Sequence, residues 1–130
     1  MVNDIISDML TKIRNANSAK HELVEILYTK ITESITKILK EEGLINDFKI
    51  NNESNSIILL LKFKGQNRKP VIQKLERISK PGLRIYENKK KISKKVRNFM
   101  IFIVSTSKGI MTDQKAKFLN IGGEILCKIS

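Results

Sequence analysis

The stretch "LINDFKINNESNSIILLLKFK", residues 44–64, decides the fold class of this chain. Two strand-like runs flank the turn-forming segment "NNESN", so the stretch predicts a β-hairpin. The run "IILLL", residues 57–61, is apolar at every position, which is typical of a central strand with both faces covered. We therefore expect the hairpin to lie on helices supplied by the preceding residues.

Two segments upstream of the hairpin have helical periodicity. In residues 4–18, Asn3 or Asp4 can cap a helix whose apolar stripe consists of Ile5, Ile6, Met9, Leu10 and Ile13. Residues 29–43 repeat the pattern and end at Gly43, with a stripe of Ile31, Ile35, Ile38 and Leu39. Between the two helices, "ELVEILY" predicts a short strand.

Downstream of the hairpin, the polar and basic segment "KGQNRKP", residues 64–70, predicts a boundary between lobes 1–66 and 67–130. "KPG", residues 80–82, predicts a turn, and "TDQKAKFLN" predicts a short helix capped by Thr112. Four further segments look like strands: "KLERIS", "LRIYEN", "MIFIVS" and "EILCKI". The predicted fold is α+β in two small lobes. The N-terminal lobe has two helices on a small β-sheet, and the C-terminal lobe is mostly antiparallel β with one short helix.

The charge of the chain points to a polyanionic partner. Lys and Arg total 25 against 13 Asp and Glu, a formal net charge of +12. Nucleic acid fits this charge. A membrane partner would require a long apolar span or a strongly basic amphipathic helix, and because the sequence has neither we expect no membrane partner. The single cysteine, Cys127, is expected to be a small buried hydrophobic residue in a terminal strand. One cysteine excludes an internal disulfide and gives no metal-ligand spacing.

The N-terminal sequence and the composition bear on location. "MVNDIISDML" has neither the basic and apolar regions of a signal peptide nor the arginine-rich character of a transit peptide. We therefore expect the protein to act in the compartment that makes it. Abundant Ile, Lys and Asn are typical of AT-rich genomes, which favours an organelle or an AT-rich bacterium.

An enzyme is the first alternative for "STSKG", residues 105–109, because serine and threonine can be nucleophiles. The chain has one histidine, His21, in a polar loop, and a serine–lysine pair would need Lys108 to be desolvated. Neither a phosphate-binding P-loop nor a dinucleotide glycine fingerprint is present. The sequence therefore predicts no enzyme, no cofactor, no metal site and no small-molecule substrate.

Three segments are candidates for binding nucleic acid. The hydroxyls of Ser105, Thr106 and Ser107, with Lys108, can approach sugar and phosphate oxygens. "GGE", residues 122–124, permits close backbone approach, and "ENKKKISKK", which contains Lys89, Lys90 and Lys91, suits phosphates. The alternatives are a turn that only caps the next helix, an ordinary glycine turn and a solvated loop.

Five segments in this order carry a family resemblance: "DMLTKIRNA", "LKEEGLI", "RISKPGLRIY", "STSKGIMTD" and "GGEILC". With these segments the chain resembles bacterial-type small-subunit ribosomal protein eight over nearly its whole length. Its motifs are most similar to those of chloroplast-encoded members. The resemblance implies a structural constituent of the small ribosomal subunit. Such a protein binds the central (platform) domain of small-subunit ribosomal RNA, nucleates its assembly and neighbours other small-subunit proteins. The implied location is the plastid ribosome, otherwise the bacterial cytoplasm, and the alternative function is an RNA-binding translational regulator acting off the ribosome.

The resemblance also implies which residues contact RNA. In the second lobe they are Ser105, Thr106, Ser107, Tyr86, Gly122, Gly123 and Glu124. In the first lobe they are Asp4, Thr11, Arg14, Asn15 and Lys30, to which the periodicity adds Lys12 as a basic residue off the apolar stripe. Leu27 and Tyr28 stand where the family usually has proline and serine.

Overall fold

A computed structural model of the chain describes residues 5–79, 86–87 and 100–130. Its contacts form two compact units, one of Ile5–Gln73 and the other containing Lys74–Ser130. Helices and antiparallel sheets occur together in the described residues, so the α+β prediction is confirmed. The domain boundary at residues 66 and 67 stays a prediction, while the segment 67–73 packs with the first unit.

The first unit contains the helices α1 (Ile5–Ser18) and α2 (Lys30–Glu41) and the strands β1 (Leu23–Leu27), β2 (Ile45–Asn51) and β3 (Ser56–Leu61), followed by a small pair of strands, β4 (Phe63–Lys64) and β5 (Lys69–Pro70). The first three strands form an antiparallel sheet in the order β1-β3-β2. The strand β3 is central, as predicted from its apolar run.

The two faces of β3 differ in burial, which corrects the expectation that both are covered. Ile57, Leu59 and Leu61 are buried, whereas Ile58 and Leu60 on the alternate face are only half-buried. On the neighbouring strand Leu23, paired with Leu60, is 62% exposed. One layer of helices covers one face of an antiparallel sheet, and the other face stays partly open.

The helix α2 is held by polar as well as apolar contacts. Thr29 caps its start, and Thr29 and Thr32 form a reciprocal capping box. Thr32 is buried, and its hydroxyl donates to the carbonyl of Leu27 at 2.9 Å. The prediction that Ile31 belongs to the buried stripe of α2 is wrong, because Ile31 is 41% exposed. The buried face of the helix contains Thr32 and Thr36 instead. The predicted end at Gly43 is confirmed by its φ of +74°.

The second unit contains the strands β6 (Leu75–Arg77), β7 (Tyr86–Glu87), β8 (Ile101–Thr106), β9 (Gly109–Thr112) and β10 (Gly123–Ile129) and the helix α3 (Asp113–Leu119). The strands form an antiparallel sheet in the order β6-β10-β8-β9, and β7 also pairs with β10. The hydrophobic cluster of this unit consists of Phe102, Val104, Met111, Ala116 and Ile125. Cys127 is completely buried in β10, as predicted.

Some predicted features lie outside the described residues. They are the capping positions Asn3 and Asp4, the turn 80–82, and the lysines Lys89, Lys90 and Lys91. Within the described ranges, no helix is long and apolar enough to cross a membrane.

Candidate nucleic-acid interface

The segment "STSKG" forms the tip of a β-hairpin, which the sequence patterns did not predict. Ser105 and Thr106 end β8, Ser107 and Lys108 form the turn, and Gly109 begins β9 with a φ of +111°. The pairing of Thr106 with Gly109 closes the hairpin. A glycine is favoured at that position because its φ is one that side chains rarely adopt. The turn residues Ser107 and Lys108 are exposed.

The hydroxyl of Thr106 is engaged within the turn. It donates to the carbonyl of Gly109 at 2.8 Å and accepts the backbone N–H of Lys108 at 3.1 Å. A hydroxyl has one proton to donate, so Thr106 shapes the hairpin and can offer a ligand only an acceptor lone pair. Ser107, at the exposed tip, is therefore the better placed of the two for donating to a ligand.

Gly123 brings the "GGE" segment against the hairpin. A methyl group added at Gly123 would lie 2.2 Å from the carbonyl oxygen of Ser105 and 3.2 Å from the Cα of Thr106. Both neighbours are backbone atoms, so no side chain can move aside to make room. Only glycine allows β10 to approach β8 this closely.

Three predicted site segments meet at this end of the sheet. Glu124 pairs with Ser105 on one side and with the backbone of Tyr86 on the other. Residues paired directly across antiparallel strands share a face, so Ser105 and Glu124 present their side chains on the same surface. We call the hairpin tip Ser105–Lys108 together with Gly123 and Glu124 the tip surface. Its parts are far apart in the sequence and become adjacent only through strand pairing.

The helix-capping alternative for this region applies to Thr112 and Asp113, not to the hydroxyls of the tip. The hydroxyl of Thr112 accepts the backbone N–H of Lys115 at 3.2 Å and caps α3. Asp113 is buried, accepts the N–H of Phe102 at 3.2 Å, and has a pKa raised mainly by its desolvation. Because Thr112 already caps the helix, the "STS" hydroxyls are not needed for that purpose.

Four of the predicted contacts of the first unit lie on one face of α1. Thr11, Lys12, Arg14 and Asn15 are all exposed on α1, while Ile13 between them is buried. Lys12 forms an ion pair with Asp8 at 3.4 Å, which partly neutralises its charge. Lys30 is exposed at the first position of α2. The α1 residues, with Asp8, form a polar helix surface of mixed charge.

The unusual residues Leu27 and Tyr28 are accommodated beside the start of α2. The hydroxyl of Tyr28 donates to the Glu33 carboxylate at 3.3 Å, and the nearby negative charge raises the pKa of Tyr28. Leu27 is 47% exposed. Tyr28 is thus hydrogen-bonded to the first turn of α2 and contributes to local structure.

The geometry of the described residues gives no support to catalysis at "STSKG". Lys108 is exposed at the hairpin tip, where water solvates its ammonium group, and a lysine base requires the opposite environment. His21 is also exposed, in the turn that follows α1. In the part of the chain that the structure describes, no group of three or more His, Cys, Asp or Glu side chains could hold a metal ion.

Comparison with known proteins agrees with the sequence motifs. The family described as Ribosomal protein S8 matches residues 4–130. The small ribosomal subunit proteins uS8c of Trieres chinensis and Phaeodactylum tricornutum are 57% and 56% identical, each over 99% of both chains. The small ribosomal subunit protein uS8 of Nostoc punctiforme is 48% identical over 98% of this chain and 97% of its own. The predicted resemblance is confirmed: this chain belongs to the ribosomal protein S8 family.

Proposed function

We propose that the protein is a structural constituent of the small subunit of a plastid ribosome and binds small-subunit ribosomal RNA directly. Family membership and the uS8c relatives support the ribosomal role and the plastid location. The net charge of +12 supports an RNA partner, because lysines that neutralise phosphates release counterions. The further partners are neighbouring proteins of the same subunit.

The main support for RNA binding is the arrangement of polar side chains on the tip surface. Its exposed Ser107 and Lys108 lie at the tip of a paired hairpin, and Ser105 and Glu124 share one face beside them. Double-stranded RNA hides its major groove, so a specific protein reads an irregular stem through its shallow minor groove and 2′-hydroxyls. Serine hydroxyls and a carboxylate can hydrogen-bond to 2′-hydroxyls, and Lys108 can contact a phosphate. We infer that this surface binds such a stem in the central (platform) domain.

The first unit supplies a second and weaker RNA contact. The exposed residues Thr11, Arg14 and Asn15 on α1 and Lys30 at the start of α2 can reach phosphates and sugars. Asp4, which the family resemblance adds, lies outside the described residues. Binding of two RNA segments by one protein would hold the platform together and promote its assembly.

The assignment is tested by fractionating organelle extracts on sucrose gradients and by footprinting the protein on small-subunit RNA. Co-sedimentation with small subunits and a footprint on one irregular stem of the central domain are expected. A protein found mainly in light fractions, bound to messenger RNA, would instead be a translational regulator acting off the ribosome.

The lysines Lys89, Lys90 and Lys91 provide a separate electrostatic test. Changing all three to alanine should weaken binding to cognate and unrelated RNA alike. The plot of log affinity against log salt concentration should become less steep. Its slope should decrease in magnitude by about 2, at roughly 0.7 to 0.9 for each phosphate that is no longer neutralised. An unchanged slope would show that these lysines form a solvated loop that does not touch phosphates.

A further inference from the structure

Phe118 is the most exposed large hydrophobic residue in the described part of the chain. It lies in the last turn of α3 and is 84% exposed, compared with 62% for Leu23. The core of this unit does not need it, because α3 packs inward through Ala116 and the half-buried Leu119. Single exposed apolar residues are normal on protein surfaces, so the meaning of this ring depends on the side chains around it.

The neighbours of Phe118 indicate the chemistry of its ligand. The other exposed residues of α3 are Gln114, Lys115 and Lys117, and the one acidic residue of the helix, Asp113, is buried. Lys115 lies three residues before Phe118, so the two side chains are neighbours on the helix surface. No described residue forms an ion pair with Lys115 or Lys117.

A nucleic acid fits this surface better than a protein does. Protein docking sites are contiguous apolar patches, whereas Phe118 is a single ring among cationic and amide side chains. Aromatic rings combined with lysines are the arrangement by which proteins hold unpaired nucleotides, with the ring stacking on a base and the lysines contacting phosphates.

A short length of chain connects Phe118 to the tip surface. The strand β9 leads away from the hairpin tip, from Gly109 opposite Thr106 to Thr112 opposite Ile103. The chain then returns through α3 to Gly123, which packs against Ser105. Phe118 is separated from Gly123 by so few residues that their Cα atoms lie within about 18 Å of each other. One RNA molecule can reach both places.

We propose that the ring of Phe118 stacks on an unpaired base next to the RNA stem held by the tip surface, while Lys115 and Lys117 contact the adjoining phosphates. This inference rests on the proposed function, because it takes binding of the stem as given. It adds a single-stranded contact to a surface otherwise suited to a double-stranded segment.

The test uses the full-length protein and two RNA probes: the small-subunit RNA stem with its flanking unpaired nucleotides, and the same stem trimmed of them. Phe118→Leu keeps an apolar side chain without a ring and should weaken binding to the longer probe by about 5- to 100-fold. Binding to the trimmed probe should not change. Leu23→Ala, a change at an exposed apolar residue of the other unit, is the matched control and should leave both affinities as they are.

Phe118→Trp gives a direct readout, because the chain has no other tryptophan. The variant should bind the longer probe as tightly as the wild type, and its fluorescence should be quenched on binding that probe but not the trimmed one. Equal affinity of Phe118→Leu and wild type for the longer probe, with no tryptophan quenching, would overturn the inference. If Phe118→Leu were then also poorly incorporated into subunits, Phe118 would be a protein contact. In all these outcomes tight binding of the trimmed stem by the wild type would leave the proposed function intact, and its absence would refute that function instead.

Discussion

The two compact units present their candidate RNA-contacting residues by different structural means. In the second unit, Ser105, Glu124 and the backbone of Tyr86 come from three strands and are aligned by their pairing. In the first unit, Thr11, Lys12, Arg14 and Asn15 follow one another along a single helix. A surface built from three paired strands has one fixed shape. A helix face with long, flexible side chains provides positive charge, but the shape of its surface is less well defined.

The difference in charge pairing leads to the same conclusion. Lys12, Lys37, Lys40 and Arg68 of the first unit each form an ion pair with a neighbouring carboxylate. Lys128 of the second unit also pairs with Glu76, but at the tip surface Lys108 lies beside Ser107 in an exposed turn. We therefore expect specific recognition of RNA shape from the second unit and a supporting, less selective contact from the first. Four variants can break or sharpen this contrast.

The largest effect is expected from Gly123→Ala. The added methyl group would overlap the carbonyl of Ser105, so β10 and β8 must separate at this point. The free energy of unfolding should fall by about 1–3 kcal/mol, as for other overpacked sites, and binding to the stem should be lost with it. Chemical denaturation and filter binding measure the two effects.

The control for Gly123→Ala is Gly65→Ala in the first unit. A methyl group at Gly65 meets no atom within 4 Å, but φ there is +78°. The substitution should destabilise the fold by about 1–2 kcal/mol through backbone strain alone and leave stem binding unchanged. If Gly123→Ala bound the stem as well as this control does, the close approach of the strands would have no role in recognition.

The next effect is expected from Ser107→Ala at the exposed hairpin tip. Loss of its hydroxyl leaves a partner group on the RNA without a hydrogen bond, which should weaken cognate binding by about 1–3 kcal/mol. Affinity for unrelated RNA, the salt dependence and the melting temperature of the free protein should stay the same. Equal losses for cognate and unrelated RNA would reduce the tip to a general phosphate contact.

A smaller effect, on stability instead of recognition, is expected from Thr106→Val. The change removes the hydrogen bonds to Gly109 and Lys108 that close the turn. The free energy of unfolding should fall by about 0.5–1.5 kcal/mol, measured by denaturant titration. Thr106→Ser retains the hydroxyl and should preserve both stability and stem binding. A stable Thr106→Val protein with impaired RNA binding would assign this hydroxyl to the RNA.

The smallest effect on stem binding is expected from the double change of Lys12 and Arg14 to alanine. Both are exposed on α1, in the unit proposed as the weaker contact, and Lys12 is already paired with Asp8. Affinity for the isolated stem should change by about twofold or less, as for ordinary surface substitutions. Assembly of complete subunits, followed by gradient sedimentation, should be slower. A loss of stem binding as large as that of Ser107→Ala would remove the distinction between the units.

Much of the fold could be predicted from the sequence because it depends on neighbours within a few residues. The central strand 56–61, the end of α2 at Gly43 and the cap at Thr112 are each encoded by local periodicity or by one favoured residue type. The exposure of Ile31 shows the limit of such patterns. Apolar spacing does not reveal that Thr32 finds a hydrogen-bond partner inside and takes the buried position.

The sequence by itself determined the charge, the classes of element and the motifs that identify the family. Only the tertiary structure decided which of those motifs become one surface. Strand pairing places Glu124 beside Ser105, and the missing side chain of Gly123 lets their backbones meet. The tertiary structure also decided that the hydroxyl of Thr106 is hydrogen-bonded within the turn, whereas Ser107 is exposed to solvent. The physical reason is that contacts between distant segments depend on packing and register, which no short stretch of sequence contains.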